Sequence, residues 1–243
     1  MARTVFISGC NRGIGREAVR LFAEQGDNLI CCIRKENEEF KAFTANLCAK
    51  YGVEIECIYC DMTDETSIKS AIQPLLKSKR QIDVLINNAG IATGGFLQMT
   101  SMQQVRDVFQ INFFSHVYIT QMISKLMMRQ KSGIIINMGS VAGLENFAGY
   151  TAYGSSKAAI MLFTKTIARE LAPYGIRVNA IAPGLTDTGM AGQMEEKAWH
   201  EMVCRTDLNR LGKPEEIAKA IVWLASDASS FMTGQIVRVD GGM

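Results

Sequence analysis

The run Thr4-Val5-Phe6-Ile7-Ser8-Gly9-Cys10-Asn11-Arg12-Gly13-Ile14-Gly15 decides how the rest of the chain is read. Thr4–Ser8 is a short, mostly apolar segment without polar alternation, the pattern of a strand buried on both faces. Gly9, Gly13 and Gly15 follow, and a helical pattern starts at about residue 14. Glycine lets the backbone turn sharply with positive φ and lets a pyrophosphate approach without meeting a Cβ. The helix start behind the loop offers unpaired N–H groups and the positive end of its dipole. Glycines alone can make an ordinary tight turn. Between a first strand and a helix they read as a dinucleotide-phosphate loop.

Outward from this loop, strands alternate with helical stretches almost to the end. Thr4–Ser8, Asn28–Ile33, Glu54–Cys60, Asp83–Asn88, Gly133–Met138, Ile176–Ile181 and Gln235–Val239 read as strands, with helices at roughly 14–25, 36–51, 65–78, 101–130, 153–171 and 214–226. Such repetition predicts right-handed crossovers and an α/β fold: a doubly wound, parallel, seven-stranded sheet with helices on both faces. With no linker-like stretch, residues 1–243 are expected to form one domain. Gly184–Gly212, rich in Met and polar residues and lacking a partner strand, is expected to be a substrate lid inserted beyond a strand's carboxyl end.

Composition excludes several classes. Hydrophobic residues make up 48% of the chain and charged residues 21%, so a disordered or collagen-like protein is excluded. A formal charge of +2 leaves no broad basic surface for nucleic acid or anionic lipid. No stretch reaches the ~18 continuous apolar residues of a membrane span. The apolar opening Val5-Phe6-Ile7 is too short for a signal-peptide core. Seven scattered cysteines, an odd number, read as reduced thiols of a cytoplasmic protein.

The glycine spacing, Gly-x-x-x-Gly-x-Gly, joins three further motifs. Asn87-Asn88-Ala89-Gly90 follows the fourth strand, Tyr153-Gly154-Ser155-Ser156-Lys157 opens a late helix, and Pro183-Gly184 follows the sixth strand. In this order and spacing, from residue 4 to the end, the chain resembles the short-chain dehydrogenase/reductase family, whose sheet is of the Rossmann type. The resemblance implies a nicotinamide dinucleotide held by Gly9, Asn11, Arg12, Gly13, Ile14, Gly15, Arg34, Asn88, Ala89, Gly90, Tyr153, Lys157, Pro183, Gly184 and Thr186. Asp61 and Met62 match the family's adenine-contacting pair. A free ribose 2′-OH is usually held by an acid at the end of the second strand, but that strand ends Cys32-Ile33-Arg34-Lys35. Guanidinium groups at Arg12 and Arg34 suit a 2′-phosphate, so NADP(H) is expected rather than NAD(H). The alternative is a solvated helix-start face at Arg34 and Lys35.

Tyr153 and Lys157 stand four apart, on one face of a helix. A phenol with an ordinary pKa of ~10 is a poor acid–base group near neutrality, and a nearby ammonium favours phenolate. By resemblance, Tyr153 exchanges a proton with the substrate oxygen and Lys157 lowers the phenol's pKa while holding the nicotinamide ribose. Ser140 hydrogen-bonds the substrate oxygen, and Asn112 completes a water relay from Lys157 to solvent. Other candidates read as structural. Cys57 and Cys60, three apart on a strand, point to opposite faces and cannot share a metal. His116 and His200 lack a Ser or Cys motif that would make either a triad base. Gly139-Ser140-Val141 lacks a hydrolase elbow pattern, and Leu126-Met127-Met128 reads as core or subunit interface.

Within the family, Asn209-Arg210-Leu211-Gly212-Lys213-Pro214-Glu215-Glu216-Ile217-Ala218 and the terminal Gly234…Val239-Asp240-Gly241-Gly242-Met243 look closest to the 3-oxoacyl-[acyl-carrier-protein] reductases. These reduce a 3-oxoacyl thioester on acyl carrier protein in fatty acid synthesis. The acidic carrier would dock on basic residues beside the site. Lys131 keeps a basic residue at one docking position, whereas Tyr174 replaces an arginine at the other. The resemblance also implies a homotetramer built on the helices around 101–130 and 153–171, with Val105, Phe109, Phe113 and Val117 either at that interface or packed internally. The alternatives are an NADP(H) reductase of another carbonyl (small ketone, sterol or sugar) and a nucleotide-binding regulator without turnover.

Overall fold

In strand β1 (Thr4–Ser8), Val5 and Ile7 point into one core and Phe6 into another, the period-two alternation of a strand buried on both sides. The same division holds across the sheet in the computed structural model, which describes residues 2–188 and 203–243. Its other strands are β2 (Asn28–Ile33), β3 (Ile55–Tyr59), β4 (Val84–Asn87), β5 (Gly133–Met138), β6 (Ile176–Pro183) and β7 (Ile236–Val239). All pairings are parallel, in the order β3-β2-β1-β4-β5-β6-β7. The seven strands are those expected, with β3, β4 and β7 a residue shorter at one end or both and β6 running on to Pro183 at its carboxyl end.

Helices α1 (Gly13–Glu24) and α2 (Glu38–Tyr51) cover one face with α7 (Pro214–Leu224), burying Phe22, Phe40 and Ile221 against Val5 and Ile7. Helices α3 (Glu65–Lys77), α5 (Ser115–Gln130) and α6 (Thr151–Leu171) cover the other, where Ile72, Ile123 and Ile167 join Phe6. Leu126 and Met127 lie in this second core. Among the described residues no helix is long and apolar enough to cross a membrane.

The long helix expected over 101–130 is in fact three pieces. Helix α4 (Met102–Phe109) starts in a capping box between Ser101 and Gln104. Gln110–Phe114 is a π-helical turn, closed by the Ser115 N–H on the Gln110 carbonyl, and α5 follows. The wide turn carries Asn112 into the interior. Its Oδ1 accepts the Ile91 N–H at 2.9 Å, and its Nδ2 donates to the Ile91 carbonyl at 2.9 Å and to Ser156 Oγ at 3.0 Å.

A second buried polar network ties helices to strands. Asn87 and Asn137 are register partners on β4 and β5. Asn87 Nδ2 donates to Asn137 Oδ1 at 2.8 Å and to Thr120 Oγ1 on α5 at 2.9 Å, and Asn137 Nδ2 donates to Thr164 Oγ1 on α6 at 2.8 Å. Near the expected lid, Thr186 bridges to Gly212, with the Asp187 N–H on the Gly212 carbonyl at 2.9 Å and the Gly212 N–H on the Leu185 carbonyl at 3.0 Å. The span 184–212 is therefore drawn together at its base. Residues 189–202, the middle of the expected lid and including His200, lie outside the described residues.

Candidate active site

Strand order reverses between β1 and β4, so the connections leaving them diverge and open a crevice at the strands' carboxyl ends. A cleft of about 690 Å³ lies there. It is lined by every residue expected to touch the cofactor and by Ser140, Tyr153 and Lys157. Asn112 stands behind it: a Cβ on Gly90 would be 3.3 Å from Asn112 Oδ1 and 3.5 Å from Lys157 Nζ.

The glycine loop is built for close approach. Gly9 has φ +67°, and a Cβ there would lie 2.6 Å from Ala89 Cα; one on Gly15 would lie 2.5 Å from the Gly9 carbonyl. Asn88 braces the loop, its Nδ2 donating to the Ser8 and Gly9 carbonyls at 3.1 and 2.8 Å. Ser8 Oγ accepts the N–H groups of Asn88 and Ala89, both at 3.1 Å. Helices α2, α3 and α4 are capped by the side chains of Asn37, Asp64 and Ser101. Helix α1 has Arg12 at its N-cap, no side-chain cap and no acid in its first turn. Its first N–H groups are open to an anion from the cleft. This uncapped helix start and the cradle that any Cβ would fill fit a dinucleotide pyrophosphate.

At one end of the cleft Arg12 and Arg34 are exposed, and neither forms an ion pair among the described residues. Asp61 is held below the usual carboxylate range, first by bonds from the Thr63 N–H (2.9 Å) and Oγ1 (2.8 Å) and to a lesser degree by the Arg34 charge. No acid stands at the end of β2.

At the other end, Tyr153 and Lys157 project from the first turns of α6, the Lys157 ammonium 5.9 Å from the Tyr153 ring centre. Ser140, at the carboxyl end of β5, presents its hydroxyl to Tyr153. Lys157 is buried, and its Nζ donates to the Met138 carbonyl at 2.7 Å. Burial lowers its pKa to about 8. The phenol departs from expectation. Burial raises the Tyr153 pKa, against a smaller lowering by its Ser140 hydrogen bond, while the ammonium turns to the Met138 carbonyl. Loss of hydration sets the direction, and the Tyr150 phenol adds to it.

Among the cleft residues that escaped the sequence reading are Phe147, Tyr150, Thr188 and Met243. The aromatic spacing Phe147, Tyr150, Tyr153 was a usable signal for a wall beside the phenol. Cys57 and Cys60 do diverge, one packing with each core. Lys131 and Tyr174 require a correction. They sit just before β5 and β6, at the amino ends of the strands, so the basic docking position is not beside this chain's own cleft.

Known proteins extend these observations. The profile described as Enoyl-(Acyl carrier protein) reductase matches residues 9–243. The 3-oxoacyl-[acyl-carrier-protein] reductase FabG of Thermotoga maritima is 38% identical over 99% of this chain and 97% of that protein. Its namesake in Chlamydia trachomatis is 37% identical, again over 99% and 97%. Among solved structures, a putative gluconate dehydrogenase from Agrobacterium tumefaciens superposes with a TM-score of 0.91 at 31% identity, covering 99% of this chain and 95% of that one. A switch-point cleft with its glycine loop, together with full-length likeness at this level, shows that the chain belongs to the short-chain dehydrogenase/reductase family and is an oxidoreductase acting on CH–OH and C=O groups.

Proposed function

We propose that the protein reduces a 3-oxoacyl thioester, carried on acyl carrier protein, to the 3-hydroxyacyl form with NADPH. The observation that carries the cofactor choice is the pair of exposed guanidinium groups, Arg12 and Arg34, in the cleft, together with the lack of an acid at the end of β2. The substrate class is supported by relatives whose names carry that activity. When bound, the reduced nicotinamide supplies the hydride.

Tyr153, Ser140 and Lys157 do the rest. Ser140 donates a hydrogen bond to the carbonyl oxygen and stabilises its developing charge. The raised pKa of Tyr153 keeps the phenol protonated near neutrality, the form required of an acid in reduction. Lys157 offsets the phenolate left after proton transfer and holds the nicotinamide ribose. Asn112 contributes to the proton route through its backbone, since its amide is committed to Ile91 and Ser156.

A second reading, reduction of another small carbonyl, is favoured by Tyr174 in place of a docking arginine and by the likeness to a putative gluconate dehydrogenase. NADPH oxidation with acetoacetyl thioester beside simple ketones separates the two. Faster turnover of the thioester supports the first, and turnover of ketones alone supports the second. Binding of NADPH without turnover of any carbonyl refutes both. Tyr153→Phe is expected to abolish turnover while leaving NADPH affinity within about threefold, a difference below ~1 kcal/mol.

A further inference from the structure

His116 was set aside in the sequence for want of a catalytic motif, yet it occupies an unusual place. It lies four residues after Asn112 and four before Thr120, on the inward polar face of α5, and is fully buried. Among the described residues three buried side-chain polar atoms have no hydrogen-bond partner, and two are the nitrogens of this ring. Buried imidazoles are normally anchored at one nitrogen or both. The Lys157 ammonium, on α6, and the Ala89 carbonyl, in the loop after β4, act on the ring, and among the described residues no other titratable group does. A Cβ on Gly90, next to Ala89, would lie 3.5 Å from Lys157 Nζ, which puts the ammonium beside that loop.

We propose that His116 is a positioning residue for Lys157: the neutral ring directs its N–H toward the Ala89 carbonyl and the lone pair of its other nitrogen toward the Lys157 ammonium, across direct or single-water hydrogen bonds. The geometry sets the tautomer, because a carbonyl can only accept and an ammonium can only donate. Burial, and then the Lys157 charge, press the His116 pKa down to about 3, so the ring stays neutral and serves as a fixed acceptor rather than a proton carrier. Lys157, itself lowered to about 8 by burial, otherwise has the Met138 carbonyl as its hydrogen-bond acceptor. A second acceptor favours the charged amine that the proposed chemistry requires.

This inference rests on the proposed role of Lys157, and its test has two arms. In the first, the pH dependence of carbonyl reduction is compared for wild type, His116→Leu and His116→Asn. Leucine is expected to move the alkaline limb down by about one pH unit, a tenfold rate difference on that limb, with substrate KM within about twofold; asparagine restores most of the shift. An unmoved limb in a folded His116→Leu protein overturns the inference. The second arm is nitrogen-15 NMR of the histidine rings in wild type and Lys157→Met, which needs no turnover and no His116 variant that folds. One protonated and one bare nitrogen, the bare signal shifting when Lys157 is removed, supports the inference. A ring insensitive to Lys157, or averaging between tautomers, overturns it. Wild type inactive on every carbonyl, with the NMR signature intact, refutes the proposed function and leaves the positioning contact standing.

Discussion

Replacing Gly9 by alanine separates backbone strain from steric exclusion if Gly26→Ala is measured beside it. Both glycines have positive φ, +67° at Gly9 and +82° at Gly26. A side chain in this region costs roughly 1–2 kcal/mol at either site. Only the space differs. A Cβ on Gly26 meets nothing within 4 Å, whereas one on Gly9 would sit 2.6 Å from Ala89 Cα and 2.9 Å from Ala89 N. Those atoms are backbone, anchored by the Ala89 N–H on Ser8 Oγ, so relief requires moving the loop after β4. Overpacking of this kind adds about 1–3 kcal/mol. At roughly 2–4 °C per kcal/mol for a chain of this size, Gly26→Ala should lower Tm by about 4 °C and Gly9→Ala by about 10 °C. Displacing Ala89 also shifts the cleft wall, so NADPH titrated by fluorescence should bind Gly9→Ala at least tenfold more weakly, about 1.4 kcal/mol, and Gly26→Ala normally. Equal losses of Tm in the two variants, or full NADPH affinity in Gly9→Ala, would refute the close contact as a constraint on the loop.

Three further outcomes are expected. Arg34→Glu should weaken NADPH binding by about tenfold to a hundredfold while leaving NADH within a few-fold, because only the extra phosphate loses a charge-assisted bond; equal weakening of both nucleotides counts against the assignment. Lys157→Met should be more stable than wild type near neutrality, since the folded state holds the amine's pKa at about 8 against 10.5 for a free lysine. The unfolded chain binds more protons between these values, so wild-type stability rises with pH across that window and the gap of up to about 3 kcal/mol closes; urea midpoints of both proteins across the window test this. Light scattering is expected to find an assembly larger than 26.8 kDa. Phe114 on the π turn and Leu162 on α6, both strongly exposed, leave an apolar face, and Leu162→Glu should shift the population toward monomer.

The strands and the phosphate loop were readable because their signals are local: buried parallel strands are apolar runs, and a pyrophosphate cradle needs glycine. The residues expected to touch cofactor share one cleft because the topology brings all strand carboxyl ends to one edge. What failed depended on distant contacts. The break in the helix over 101–130 follows from Asn112 taking the Ile91 backbone, twenty-one residues away, which no helical periodicity records. The phenol was weighed by its neighbouring charge, while its depth, visible only after folding, set the direction. His116 was judged by motifs for hydrolysis, although what distinguishes it is a buried ring left without partners. Lys131 and Tyr174 were placed beside the cleft by resemblance, and strand direction puts them at the other end.

The π turn at Gln110–Phe114 makes chain length, more than residue identity, the sensitive quantity in this segment. Removing one residue there would let the helix close with ordinary spacing and leave α5 in register, because an ordinary turn shorter by one residue carries the chain through about the same angle. Thr120 and His116 would keep their places, while Asn112 would lose the bulged backbone that carries it to Ile91. A single-codon deletion at the turn would therefore spare the helix behind the cleft and strip out the one side chain the bulge exists to deliver.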